Sequence, residues 1–185
     1  MVRLMSSVLC VLVVWSGPGM AVERSATYLL NPGDVVEVSV WQEDNLRREV
    51  SVLPDGSITF PLVGQIQVAG LDTAEVEKKV ANKLEQFLPD PNVSVVVKST
   101  TGNLLYVQGK VIKPGPVQMA GPTAVLQALS MSGGLDKFAD ESAIKVIRLK
   151  GDSQQVLPVH YKDLISGRDM STNIQLQAGD TLVVP

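Results

Sequence analysis

Asn31-Pro32-Gly33-Asp34-Val35-Val36-Glu37-Val38-Ser39-Val40-Trp41 decides how this chain is read. Pro32 and Gly33 make a turn, since proline fixes one dihedral and glycine accepts a positive φ. Val36, Val38 and Val40 then alternate with Glu37 and Ser39. Period two with β-branched residues predicts a half-buried strand from Val35 to Trp41. Working outward, Arg48 to Leu53 reads as a second strand. Pro54-Asp55-Gly56-Ser57 reads as a reversal, and Ile58-Thr59-Phe60 as the returning partner in a hairpin.

Asp72-Thr73-Ala74-Glu75 opens the clearest helix, because Asp72 and Glu75 have the spacing of a capping box. Val76, Val80, Leu84 and Leu88 form its apolar stripe, and Pro89 and Pro91 are expected to end it. Val93 to Val97 is rich enough in valine to predict a buried strand. Strands, a helix and a further strand define an α+β unit rather than a regular βαβ winding.

The polar run Ser99-Thr100-Thr101-Gly102-Asn103 is a natural boundary. The expected organisation is a leader over residues 1–21, one domain over 22–100 and a second over 104–185. In the second, Leu104 to Val111 reads as a strand and Lys113-Pro114-Gly115-Pro116 as a turn. Thr123 is placed to cap a helix holding Val125, Leu126 and Leu129, which stops at Gly133-Gly134. Ile144 to Leu149, Val156 to Val159 and Thr181 to Val184 are further strands, with a helical turn over Tyr161 to Ile165. Strands around one helix suggest a β-grasp-like module. Ala178-Gly179-Asp180-Thr181 echoes Pro32-Gly33-Asp34-Val35, a good strand-opening turn or else a duplicated functional loop.

Composition narrows the chemistry. Of 185 residues, 45% are hydrophobic and 19% charged, which suits packed domains rather than a disordered chain. The formal net charge of -3 argues against a dedicated nucleic-acid binder. With one cysteine, Cys10, and one histidine, His160, no intrachain disulfide or Cys/His zinc cluster can form. Arg3, the apolar stretch Leu4 to Trp15, and the small residues Gly19 and Ala21 follow the grammar of a secretory signal peptide. Cleavage is expected between Ala21 and Val22. Leu9 precedes Cys10 where lipid attachment wants a small residue, so Cys10 is a poor lipid site. No later segment is apolar enough to cross a bilayer, and an exported, periplasmic location follows.

The acids Asp34, Asp55, Asp136, Asp140, Glu141 and Asp180 are the candidates for a catalytic carboxylate pair. Three of them sit beside glycines in turns, where aspartate is favoured for binding nearby amides. His160 has no nucleophile motif around it and reads as an ordinary, partly buried residue. Gly133-Gly134 follows a helix rather than opening one, which suits a C-cap and not a phosphate cradle. Trp41, Tyr28, Tyr106 and Tyr161 have the chemistry to stack on sugar rings, with core or interface packing the plainer reading. No catalytic residue, cofactor or metal site emerges.

Together these segments resemble the outer-membrane polysaccharide export proteins of the Wza type. Leu30 to Trp41 is similar to the family's opening, with Pro32, Gly33 and Asp34 in its turn. Leu53 to Gly64 is similar to the next signature, which includes Asp55 and Gly56. Val68 to Glu75 leads into the family's helix, and Pro91 to Val95 closes that domain. Gln108 to Gly115, holding Gly109, Pro114 and Gly115, and Ala128 to Leu135, holding Gly133 and Gly134, resemble one SLBB module. That module is a β-grasp fold associated with soluble-ligand binding. Leu176 to Pro185, with Gly179 and Asp180, resembles its usual end.

The resemblance implies non-enzymatic work by a short member of the family. It implies a homo-oligomeric ring or collar that guides capsular or exopolysaccharide to the cell surface. Its partners would be the polysaccharide, an inner-membrane polysaccharide co-polymerase and a separate outer-membrane protein. A monomeric periplasmic glycan-binding adaptor is the alternative, and a glycan hydrolase a third. No cofactor and no nucleic acid are implied.

Overall fold

A computed structural model describes residues 27–151 and 153–185. The leader, its junction at Ala21 and Val22, and Cys10 lie outside the described residues. The fold is α+β, with its buried apolar side chains in two clusters, one drawn from residues 30–95 and one from 105–184.

The first cluster is built by β1 (Val35–Val40), β2 (Glu43–Ser51), β3 (Ser57–Phe60), β4 (Gly64–Gln67), α1 (Thr73–Leu84) and β5 (Val93–Ser99). β1 is central in an antiparallel sheet of order β2-β1-β5. Its alternation works as the sequence requires: Val36, Val38 and Val40 are buried, and Glu37 and Ser39 lie on the outer face. Asp72 accepts the Glu75 amide at 2.8 Å while Glu75 accepts the Asp72 amide at 3.0 Å, so α1 opens on the expected capping box. Val76, Val80 and Leu84 of α1 are fully buried, and Leu88 packs beside them.

Three expectations change here. The hairpin does not form between Arg48–Leu53 and Ile58–Phe60. β2 instead pairs with β1, and β3 pairs with β4, whose single buried side chain, Ile66, gives no periodic signal. The turn at Asp55-Gly56 forms and changes the chain's direction without joining two strands of one ladder. α1 ends at Leu84, before the prolines, and β5 alternates rather than being buried throughout, with Val96 half exposed. As an edge strand it has one face on the core and one in water.

The second cluster comes from β6 (Leu104–Gly109), β7 (Gly115–Gln118), α2 (Val125–Met131), β8 (Lys145–Lys150), β9 (Ser153–Pro158), α3 (Tyr161–Ser166) and β10 (Thr181–Val184). The sheet order is β7-β6-β10-β8-β9, with β10 parallel to β6 and antiparallel to β8. Val125, Ala128 and Leu129 of α2 share the core with Leu105, Val107, Val146, Leu182 and Val184. Gly115-Pro116, expected as turn only, opens strand β7. This is a sheet edge, where a proline costs no ladder bond.

Thr123 does not cap α2. Its hydroxyl donates to the Gly121 carbonyl, while Asn173 Oδ1 accepts the Leu126 amide and the Ile174 carbonyl accepts that of Val125. A segment some 50 residues away in sequence therefore supplies the cap.

Candidate functional site

The two Gly-Asp turns have the same geometry. Gly33 and Gly179 have φ of 95° and 87°, values a side chain rarely adopts. The Asp34 amide donates to the Asn31 carbonyl, and the Asp180 amide to the Gln177 carbonyl, both at 3.1 Å. Each aspartate then folds back, its Oδ2 accepting the amide three residues earlier at 2.8 Å. Both carboxylates are buried, at 0% and 2% exposure.

Their remaining partners differ. Asp34 is held by neutral donors: Tyr28 Oη at 2.6 Å and, at Oδ1, the Gly102 amide at 2.9 Å. Thr101 Oγ1 adds a bond of 2.6 Å to the Gly33 carbonyl. A Cβ on Gly102 would stand 2.2 Å from the Pro32 carbonyl oxygen, so only glycine fits. The 99–103 connector is thus fastened to the turn that opens β1. Burial, reinforced by the Asp34 hydrogen bond, pushes the Tyr28 phenol well above its ordinary pKa. Asp180 instead takes a bidentate pair from Arg148, Nε to Oδ1 at 2.9 Å and Nη2 to Oδ2 at 2.7 Å. That hydrogen bond raises the Arg148 guanidinium pKa against the opposing effect of desolvation.

The other candidate acids serve turns. Asp55 Oδ1 accepts the Ser57 amide and hydroxyl, Asp140 Oδ1 accepts those of Ser142, and Asp136 accepts the Phe138 amide. These serine bonds hold the Asp55 and Asp140 carboxyls below the usual range. Glu141 faces Lys162 at 4.0 Å. Among the described residues no cluster of acids, histidine or cysteine has metal-binding geometry. His160 is exposed at the start of α3, not partly buried as expected.

The other motif glycines, Gly56 in the first unit and the rest in the second, also lie at chain reversals. Gly56 carries the bond network behind Asp55, its carbonyl accepting the Val68 and Ala69 amides. Gly133 and Gly134 follow α2 and donate to the Ser130 and Leu129 carbonyls. Pro114 and Gly115 lead into β7, and Gly109 ends β6, where a Cβ would stand 1.9 Å from the Val184 carbonyl oxygen.

Trp41 does not pack in the core, one of the two packing readings its sequence allowed. It is 73% exposed, neither core nor covered, just beyond the end of β1. Gln42 beside it has φ 64°, a strained value for a residue with a side chain. Between Val38 and Val40 the β1–β2 register slips, bulging β2 beside the tryptophan. A shallow groove of about 360 Å³ opens there, lined by Trp41, Gln42, Glu43, Asp44, Asn92 and Arg47 with Ser39 and Ser94. On the outer face Arg47 reaches Glu37 at 2.9 Å.

Residues 22–98 match the family described as polysaccharide biosynthesis/export protein, and residues 103–184 match the SLBB domain. The chain belongs to the polysaccharide biosynthesis/export family. The polysialic acid transport protein KpsD of Escherichia coli is 27% identical over 167 residues, covering 90% of this chain and 29% of KpsD. The EPS I polysaccharide export outer membrane protein EpsA of Ralstonia nicotianae is 28% identical, covering 91% of this chain and 49% of EpsA. The exopolysaccharide production protein ExoF of Rhizobium meliloti is 30% identical, covering 96% of this chain and 45% of ExoF. The chain thus spans from under a third to about half the length of these relatives. Several relatives are named as outer membrane proteins, and among the described residues no helix is long and apolar enough to cross a membrane.

Proposed function

We propose that this chain is a non-enzymatic component of a polysaccharide export system. It forms a ring or collar, associated with the outer membrane, that guides capsular or exopolysaccharide toward the cell surface. The observation carrying this reading is the ordered pair of domain matches across most of the chain, together with relatives named for polysaccharide export. In this reading the leader is removed after Ala21, and the working domains span 22–100 and 104–185. The partners are the polysaccharide, an inner-membrane co-polymerase and a separate outer-membrane protein.

A hydrated glycan moves through a conduit by weak, repeated contacts, since tight binding would stall it. Such work needs no nucleophile, and every turn aspartate above is occupied by backbone, hydroxyl or guanidinium donors. Exposed apolar residues such as Leu62 at the β3–β4 tip and Phe87 beyond α1 are of the kind that form subunit contacts. Ring contacts are head-to-tail and must close.

Deletion of the gene tests the reading. Surface polysaccharide should disappear while synthesis of its lipid-linked precursor continues; unchanged surface polysaccharide overturns it. Cross-linking and sizing should give a closed oligomer, and incubation with the polysaccharide should release no new reducing ends. A monomeric glycan-binding adaptor is the second reading, favoured by the exposed Trp41 on a polar sheet face, and a strictly monomeric protein that binds glycan would support it.

A further inference from the structure

We infer that the outer face of the β2-β1-β5 sheet, at its Trp41 end, is a binding subsite for an uncharged hexopyranose chain. The inference rests on the export reading and names the surface that would touch the polymer.

The indole is an exposed flat platform, and the C–H face of a pyranose ring is the complementary surface, apolar on one side and ringed by hydroxyls. Two residues back along β1, Ser39 stands opposite Ser94 of β5. Same-face residues on a strand are about 6.6 Å apart, so a ring stacked on Trp41 brings its hydroxyls toward this serine pair. Asn92 is fixed next to the indole, its carbonyl accepting the Trp41 amide at 2.8 Å. Gln42, Glu43 and Asp44 complete the groove with one amide and two carboxylates. Amides, hydroxyls and carboxylates around an aromatic face are the groups that recognise sugar hydroxyls.

Charge separates this occupant from others. Arg47, the groove's cation, is already paired with Glu37, while among the described residues Glu43 and Asp44 form no ion pair. An anionic sugar would meet those carboxylates without a free cation to offset them. A second protein copy seated on Trp41 would have to desolvate both carboxylates, whereas sugar hydroxyls donate to them. Interface centres are depleted in such charges. Gln42, strained at positive φ, and the β2 bulge hold the rim open beside the indole.

The test titrates the full chain with cellohexaose, maltohexaose and anionic tri-galacturonate, read by calorimetry and saturation-transfer NMR. At least one neutral hexasaccharide should bind saturably and more tightly than tri-galacturonate. Trp41→Ala should weaken that binding at least tenfold, while Trp41→Phe stays within about threefold, because a flat ring is retained. Phe138→Ala, at an exposed aromatic of the second unit, should leave it unchanged. No saturable binding of either neutral sugar, or equal affinity in Trp41→Ala, overturns the subsite. So does a Trp41→Ala protein that changes oligomeric mass at unchanged sugar affinity, which gives the face to a second copy. Complementation of the deletion strain separates the two levels. Restored export with undiminished sugar affinity in Trp41→Ala removes the subsite alone, whereas a deletion that never affects surface polysaccharide removes the export reading.

Discussion

The Gly-Asp turns at residues 33–34 and 179–180 are alike in every local respect and differ in how the buried carboxylate is compensated. Asp180 has a cation, Arg148, in a two-bond pair; among the described residues Asp34 has only neutral donors, one of them the backbone of the connector 68 residues on. The four-residue pattern therefore sets the turn, and distant residues set its use. One turn braces the central strand β10 against β8, and the other fastens the connector to β1.

Breaking the charged turn should have the largest effect. Asp180→Ala leaves Arg148 partly buried without its partner and should cost about 4 kcal/mol of unfolding free energy in denaturant titration. Adding Arg148→Met should restore part of that loss, because the stranded charge goes with it. Asp34→Ala should cost about 3 kcal/mol, from three donors left without acceptors. Its signature is local: faster hydrogen exchange at the Gly102 amide and cleavage within 99–103, neither of which Asp180→Ala should produce.

Smaller substitutions sharpen the contrast. Gly179→Ala meets open space, so only left-handed backbone strain of about 1 kcal/mol is expected. Gly33→Ala puts its Cβ 3.3 Å from Gly102 Cα and should cost about 2 kcal/mol, the excess measuring how closely the connector lies. Tyr28→Phe should cost about 1 kcal/mol at neutral pH. The Tyr28 pKa is raised in the folded state, so its contribution is complete below about pH 10 and is lost as pH rises beyond that. Alkaline melts should show that component in the unaltered protein and lack it in Tyr28→Phe.

Local signals were legible wherever one segment carried its own physics. The Asp72/Glu75 box, the Val76-Val80-Leu84 stripe and the β1 alternation all appear as read, as does the α+β class. Pairing was not legible, because β2 has an equally good partner in β1 and β4 offers one apolar residue. The Asn173 cap of α2 was hidden for the same reason, being supplied from a distant segment. Val96 is as β-branched as the buried Val95, so composition concealed the outward face of β5. Trp41 shows the limit at the site: an aromatic after a strand looks like packing until the bulge beside it is seen.

β10 has a consequence for how the second unit comes into being. Without residues 181–184, β6–β7 and β8–β9 are two separate hairpins with no ladder between them. The parallel union of β6 and β10 joins stretches more than seventy residues apart, a loop closure that slows folding. During synthesis this unit must wait for nearly all of its chain, whereas the β2-β1-β5 sheet has everything it needs by Ser99. A nascent protein would thus pass through a stage with its first half finished and its second half exposing two unjoined sheet edges, the window in which a chaperone would matter most.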